Sequence, residues 1–270
     1  MSAETAHIDQ LTRLVTAVIL TLMAVAQFVR PRCFVDVGIY FRNSCRGLSA
    51  QTSEQVRRTL DARREVEGDS AGLVRYVAVF YLAMAALEFV PAVPFAVPYA
   101  AGSLALSLAI YAAYAQVRRA TQRRVAPLVR RSPFDALPPV VVAAVAACFA
   151  GTLAFGVYAP YATYRIAAIA VAVTVLILFL IAWQIARSPA LLLGNDPQVE
   201  YAVDERVRLS RATNVTSLAC APAAVLTMLV SRHVAAGFPG YATITAIVCA
   251  AFAVTLIVSL MPMRKRLVIA

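Results

Sequence analysis

Apolar residues in this chain run in long blocks rather than in stripes or in strict alternation. Seven blocks stand out: Leu11–Val29, Leu73–Val90, Tyr99–Val117, Pro139–Tyr158, Ile166–Ala186, Val215–Val230 (extendable at both ends) and Tyr241–Met261. A bilayer hydrocarbon core about 30 Å thick needs roughly 20 helical residues to cross it, and each block is of that order. Membrane barrels alternate polar and apolar residues along each strand, a pattern absent here. Backbone groups in lipid must be satisfied within the segment, so helices are the spanning structure that remains. The pattern therefore predicts an all-α integral membrane protein with seven transmembrane helices, forming one polytopic domain over residues 1–270.

The first block raises a second possibility. Ala24-Val25-Ala26 follows an apolar core as in a signal-peptidase site. Yet Glu4 and Asp9 precede the only Arg of the leader, and cleavage would leave the next loop, with nine Arg, outside. A retained first span is the better reading.

Charge then orients the blocks. Of 25 Lys and Arg, 22 fall at one set of block ends and three (Arg13, Arg165 and Arg232) at the other. Positive residues stay on the cytoplasmic side, so the N-terminus is expected outside and the C-terminus in the cytoplasm of a plasma or inner membrane. The polar segments on that side are 30–72, with a short charged helix, the basic loop 118–138, and a charged helix over 187–211. In the first, Ser53 to Glu67 reads as a helix with Ser53 as N-cap, Glu54 facing Arg58 one turn on, and Gly68 as the stop.

Three descending blocks begin alike, at Pro98-Tyr99-Ala100, Pro160-Tyr161-Ala162 and Pro239-Gly240-Tyr241-Ala242. They suggest three hairpins after a lone first helix, although Pro at helix starts and Tyr at interfaces recur without common ancestry. Small residues spaced by four, Ala143/Ala147/Gly151 and Ala242/Ala246/Ala250, mark faces for close helix contact. Pro222 is expected to kink the sixth span.

Composition agrees with this picture and narrows the chemistry. The chain is 61% hydrophobic and 14% charged, with a formal charge of +11 and a mean hydropathy of +0.74. Neither an ordinary soluble domain nor a disordered chain looks like this. The two histidines, His7 and His233, lie away from span centres, and the one lysine, Lys265, lies in the tail. A bis-histidine haem, a histidine-based metal centre and a retinal Schiff base are thereby excluded. No phosphate-binding Gly-rich loop, HExxH or Gly-x-Ser-x-Gly occurs. No catalytic residue, cofactor or metal ligand is assigned. Cys33 and Cys45 belong to the reducing side, and Cys148, Cys220 and Cys249 read as packing, so no disulfide is expected.

Three features carry possible function. Asp196, Glu200 and Asp204 stand at i, i+4 and i+8, a spacing able to hold a divalent cation on a pyrophosphate. Capping by Asn195 or Asp196, Pro197 in the first turn and an Asp204–Arg208 pair explain the same residues without a ligand. Glu88 is the one acid inside a block, roughly 22 Å along the helix from Leu73. Together with Arg165, Arg232 and His233 it defines a candidate outer polar site, against the alternative of a static salt bridge or snorkelling side chain. Finally, Arg118, Arg119, Arg123, Arg124, Arg130 and Arg131 form a basic run without acids. Beside a membrane its expected partner is anionic lipid headgroups rather than nucleic acid.

On this footing the first expectation is a small-solute or ion transporter, a channel-like protein, or an accessory subunit of one. A receptor, scaffold or assembly protein is the alternative, and a membrane-embedded lipid-modifying enzyme comes third, lacking a second acidic cluster. A homo-oligomer or a membrane partner subunit suits any of them.

Overall fold

A computed structural model describes residues 49–67, 96–121, 132–188, 196–234 and 240–264, with a few further helical positions (Leu14, Ala17, Val18, Thr21, Val25, Leu82, Ala85, Ala86). Among the described residues every regular element is helical. These are α1 (Ala50–Glu67), α2 (Ala96–Thr121), a 3-10 turn (Pro133–Asp135), α3 (Pro139–Tyr158), α4 (Ala162–Arg187), α5 (Pro197–Val234) and α6 (Gly240–Arg264).

Local chemistry sets most of the ends. Ser132 and Asp135 form a reciprocal capping box around the 3-10 turn. Pro139 then occupies the first turn of α3, where its missing N–H costs nothing. At the far end of α3, Ala159 leaves the helix extended, and Tyr161 opens α4 two residues later. Ser188 ends α4, its hydroxyl and N–H both donating to the Ile185 carbonyl. Asp196 caps α5 by accepting from the Gln198 N–H at 3.0 Å, with Pro197 next in line. α1 starts earlier than its sequence suggests. Ser49, not Ser53, is the cap, accepting from the Thr52 N–H at 3.1 Å. Both serines have cap chemistry, and the first to offer an oxygen to a free N–H wins.

Three helices are long and apolar enough to cross a membrane: Pro139–Tyr158, Ala162–Arg187 and Gly240–Ser259. α2 contributes a shorter apolar stretch, Tyr99–Ala112. The sixth expected span forms the second half of α5, and the first two blocks lie outside the described residues except at the positions named above. The burial pattern is that of a membrane helix rather than a soluble one. α4 buries Ala168, Val171, Val175, Leu178 and Ala182, yet exposes Ile166, Ile169, Val173, Leu176 and Leu180 on its opposite side. An outward face this apolar belongs against lipid tails.

α4 is the hub, packing on α2, α3 and α5, while α6 closes the bundle against α3 and α5. Ala17 and Ala85 also belong to the common core. Two glycines of α3 mark the tightest contacts. A Cβ on Gly151 would stand 2.7 Å from a Val248 methyl of α6, and one on Gly156 would stand 2.9 Å from the Ala168 Cβ of α4. The small-residue stripes are placed otherwise than expected. Ala143, Ala242, Ala246 and Ala250 face outward, and α6 meets α3 through Ile244 and Val248 beside Gly151.

Candidate functional site

At 1.5 Å per residue the 38 residues of α5 extend about 57 Å, nearly twice a bilayer core. The charged segment before residue 211 and the apolar block after it are therefore one helix, with part of it projecting beyond the bundle. α1 packs on that projecting half. Val56 on α1 and Val199, Val203 and Val207 on α5 form a small buried seam, with Leu60 and Ala202 at its edge and no shared membership with the main core.

Charge locks the seam. Arg63 Nη1 donates to Asp204 Oδ1 at 2.8 Å, with only 11% and 3% of the two side chains exposed. Glu200, one turn before Asp204, and Arg208, one turn after it, are buried as well. Arg208 donates to the Ala186 carbonyl in the last turn of α4 and to Glu205. A carbonyl there has no partner within its own helix, and a guanidinium suits the negative end of the helix dipole. One side chain thus ties the α4 terminus to α5. Burial pulls the Arg206 guanidinium below its ordinary value, with Glu205 opposing the change. Arg57 and Arg58 pair with Asp61 and Glu54 on the exposed face of α1. In this way α1 and the first half of α5 make a charged two-helix platform fixed to the bundle.

The Asp196–Glu200–Asp204 spacing is realised on α5, but these carboxylates have other duties. Asp196 caps the helix, and Asp204 pairs with Arg63 rather than with Arg208, whose guanidinium goes to Glu205 and Ala186 instead. A salt-bridge partner within one helix competes here with a partner supplied by tertiary packing, and packing wins. Among the described residues no three His, Cys, Asp or Glu side chains are placed to hold a metal ion.

The opposite end of the bundle holds Arg165. Its Nε donates to the Ala159 carbonyl at 2.8 Å, closing the end of α3. Glu88 and the side chains of Arg232 and His233 lie outside the described residues, as do Arg123, Arg124, Arg130 and Arg131 and the side chains of Arg118 and Arg119. The three Pro-Tyr starts serve three ends. Tyr99 donates to the Pro222 carbonyl at 2.6 Å, Tyr241 is buried and donates to the Tyr158 carbonyl, and Tyr161 is exposed with its ring edge-on to Tyr164.

The buried threonine hydroxyls of the bundle turn back on their own helices. Thr152 donates to the Cys148 carbonyl, Thr174 to Ala170, Thr213 to Leu209 and Thr227 to Ala223. Sequence reasoning missed Arg63, which stands 141 residues from its partner. The findable signal was a pair of complementary stripes, Val56/Leu60/Arg63 and Val199/Val203/Val207, each along one helical face. No family model matches the chain, and neither a curated protein nor a solved structure does. The class rests on the architecture alone: an all-helical protein with helices of membrane-spanning length.

Proposed function

We propose that this is a non-catalytic, seven-span protein of the plasma or inner membrane that works as a scaffold or assembly protein through its charged platform. The carrying observation is the continuity of α5, which runs from the platform into the bundle and is tied to α1 by Arg63–Asp204 and to α4 by Arg208. A displacement of the platform by a partner is thereby transmitted to the bundle. The N-terminus is outside and the platform cytoplasmic, in keeping with the 22-to-3 distribution of Lys and Arg. The arginine run 118–131 rests on anionic headgroups beside it. A membrane partner subunit or a second copy of the chain is the expected occupant of the platform.

Transport, the first expectation from composition, gains less from the described residues. The hydroxyls most able to line a path are bonded to their own helices, and the Pro222 carbonyl is occupied by Tyr99. The test is reconstitution into sealed vesicles, with a photo-crosslinking residue at Arg57 in the native membrane as a second arm. The reading expects no protein-dependent flux of protons, alkali cations or halide, and a discrete crosslink from Arg57 that disappears when Asp204 is replaced by alanine. Flux proportional to the protein, or crosslinks to lipid alone, would overturn it.

A further inference from the structure

Aromatic residues gather at the two ends of α4. At its start Tyr161 is exposed, and so is Tyr158, the last residue of α3. Near its end stands Trp183, the single tryptophan of the chain. Its ring lies 5.9 Å from that of Phe179, one turn earlier, and Phe134 of the 3-10 turn meets it edge-on at 5.4 Å. Trp183 comes 22 residues after Tyr161, which at 1.5 Å per residue is about 33 Å along the helix. A bilayer hydrocarbon core is about 30 Å thick, and Tyr and Trp collect at its two edges. From Ile166 to Leu180 every exposed side chain of α4 is apolar. Trp183 therefore falls at the level where acyl chains give way to headgroups.

The turn beside it is built to hold Phe134 outward. Ser132 and Asp135 cap each other's backbone, and Ala136 and Leu137 are fully buried in the main core. Between these anchors the Phe134 side keeps 51% of its surface exposed. Charge at the same level is positive. Arg187, one turn after Trp183, is exposed, and the arginine run of the sequence ends at Arg131, next to the turn. We propose that the 132–138 turn and the end of α4 form a site for one anionic phospholipid. Its glycerol backbone and first methylenes lie on the Phe134–Trp183 pair, and its phosphate faces Arg187. This goes beyond attraction of the arginine run to a charged surface, because a single lipid is held at a defined depth against a defined pair of rings. The inference stands apart from the scaffold reading, since the lipid contact is the same whatever docks on the platform.

Intrinsic fluorescence reads the site without a label, because Trp183 is the only tryptophan. The full-length protein is reconstituted into vesicles of phosphatidylcholine and phosphatidylglycerol in equal parts. Bromine is placed near the glycerol end of the acyl chains of one lipid or of the other. One well-placed arginine favours an anionic lipid about fivefold, and other lipid neighbours dilute this, so bromine on phosphatidylglycerol should quench about twofold more than bromine on phosphatidylcholine. Bromine moved toward the chain ends should quench less. Arg187→Gln should remove most of the preference and leave the depth unchanged. A second reporter, Phe134→Trp combined with Trp183→Phe, should show the same order and resist iodide in the aqueous phase. The measurements on the parent stand whether or not the variants insert. Equal quenching by the two lipids, stronger quenching from the chain ends, or an undiminished preference in Arg187→Gln would each overturn the assignment. So would a reporter at position 134 reached by iodide and not by lipid, which means water, or reached by lipid only on dilution of the protein, which means a second copy.

Discussion

Removing the Asp204 carboxylate should unseat α1 while leaving the bundle intact. Asp204→Ala strips the partner from a guanidinium that is only 11% exposed. Truncating one member of a buried pair costs about 3–5 kcal/mol. Arg63 has a long stem and some residual exposure, so it can swing toward water, and about 2–3 kcal/mol is the better figure. The valine seam opposes release, but it contains only four buried side chains. At 1.4 kcal/mol per tenfold, the local opening equilibrium rises about 30- to 150-fold. Once released, an 18-residue helix is marginal in water, so α1 loses amide protection together with its seat. Hydrogen exchange read by mass spectrometry in nanodiscs measures this directly. Exchange should speed up in α1 and around Val199–Val207, with α3, α4 and α6 unchanged. Replacing both partners by apolar residues, Arg63→Met with Asp204→Leu, should restore most of the protection, because no unpaired charge is left behind. Unchanged protection of α1 in Asp204→Ala, or equal loss in α3 and α6, would refute the reasoning.

Two further outcomes follow from the packing. Gly156→Ala should lower the thermal midpoint more than Gly151→Ala. The clash at Gly156 is with an Ala168 Cβ fixed to the backbone, whereas the one at Gly151 is with a side-chain methyl of Val248. Overpacking of this kind costs about 1–3 kcal/mol, and equal midpoints would show that the α3–α4 contact is looser than described. Tyr241→Phe keeps the ring against Phe155 and removes only the hydrogen bond to the Tyr158 carbonyl. A loss of about 1–2 kcal/mol in equilibrium unfolding is expected, well below that of Tyr241→Ala, which also forfeits a buried ring.

Much of the bundle was legible because apolar length is a one-dimensional property. The runs at Pro139, Ile166 and Tyr241 each form a helix of spanning length, and prolines mark the start of α3 and α5. The continuity of α5 was not expected. The sequence suggests a charged helix over 187–211 and a separate sixth span at Val215–Val230, whereas one helix starts at Pro197 and runs to Val234, with neither Gly nor Pro interrupting the chain between Pro197 and Pro222. The change from charged to apolar residues near Arg211 was a change of environment, not of conformation. Alanine misled for a related reason. Lipid and neighbouring helix accept it equally, so the Ala242/Ala246/Ala250 spacing carried no direction, whereas Gly151 and Gly156 sit where two helices nearly touch. The Arg63–Asp204 lock was out of reach, because it depends on how distant segments dock.

The central claim is that the α1–α5 platform lies on the cytoplasmic side of a bundle whose α3–α4 turn faces outward. Cysteines at exposed positions, Arg57→Cys and Gln198→Cys on the platform and Tyr161→Cys at the turn, test it in a background with Cys33 and Cys45 replaced by serine. A membrane-impermeant maleimide should label Tyr161→Cys in intact cells, and should label Arg57→Cys and Gln198→Cys only after the inner face is opened. Labelling of the platform positions in intact cells, or of Tyr161→Cys only from the inner face, would contradict the account.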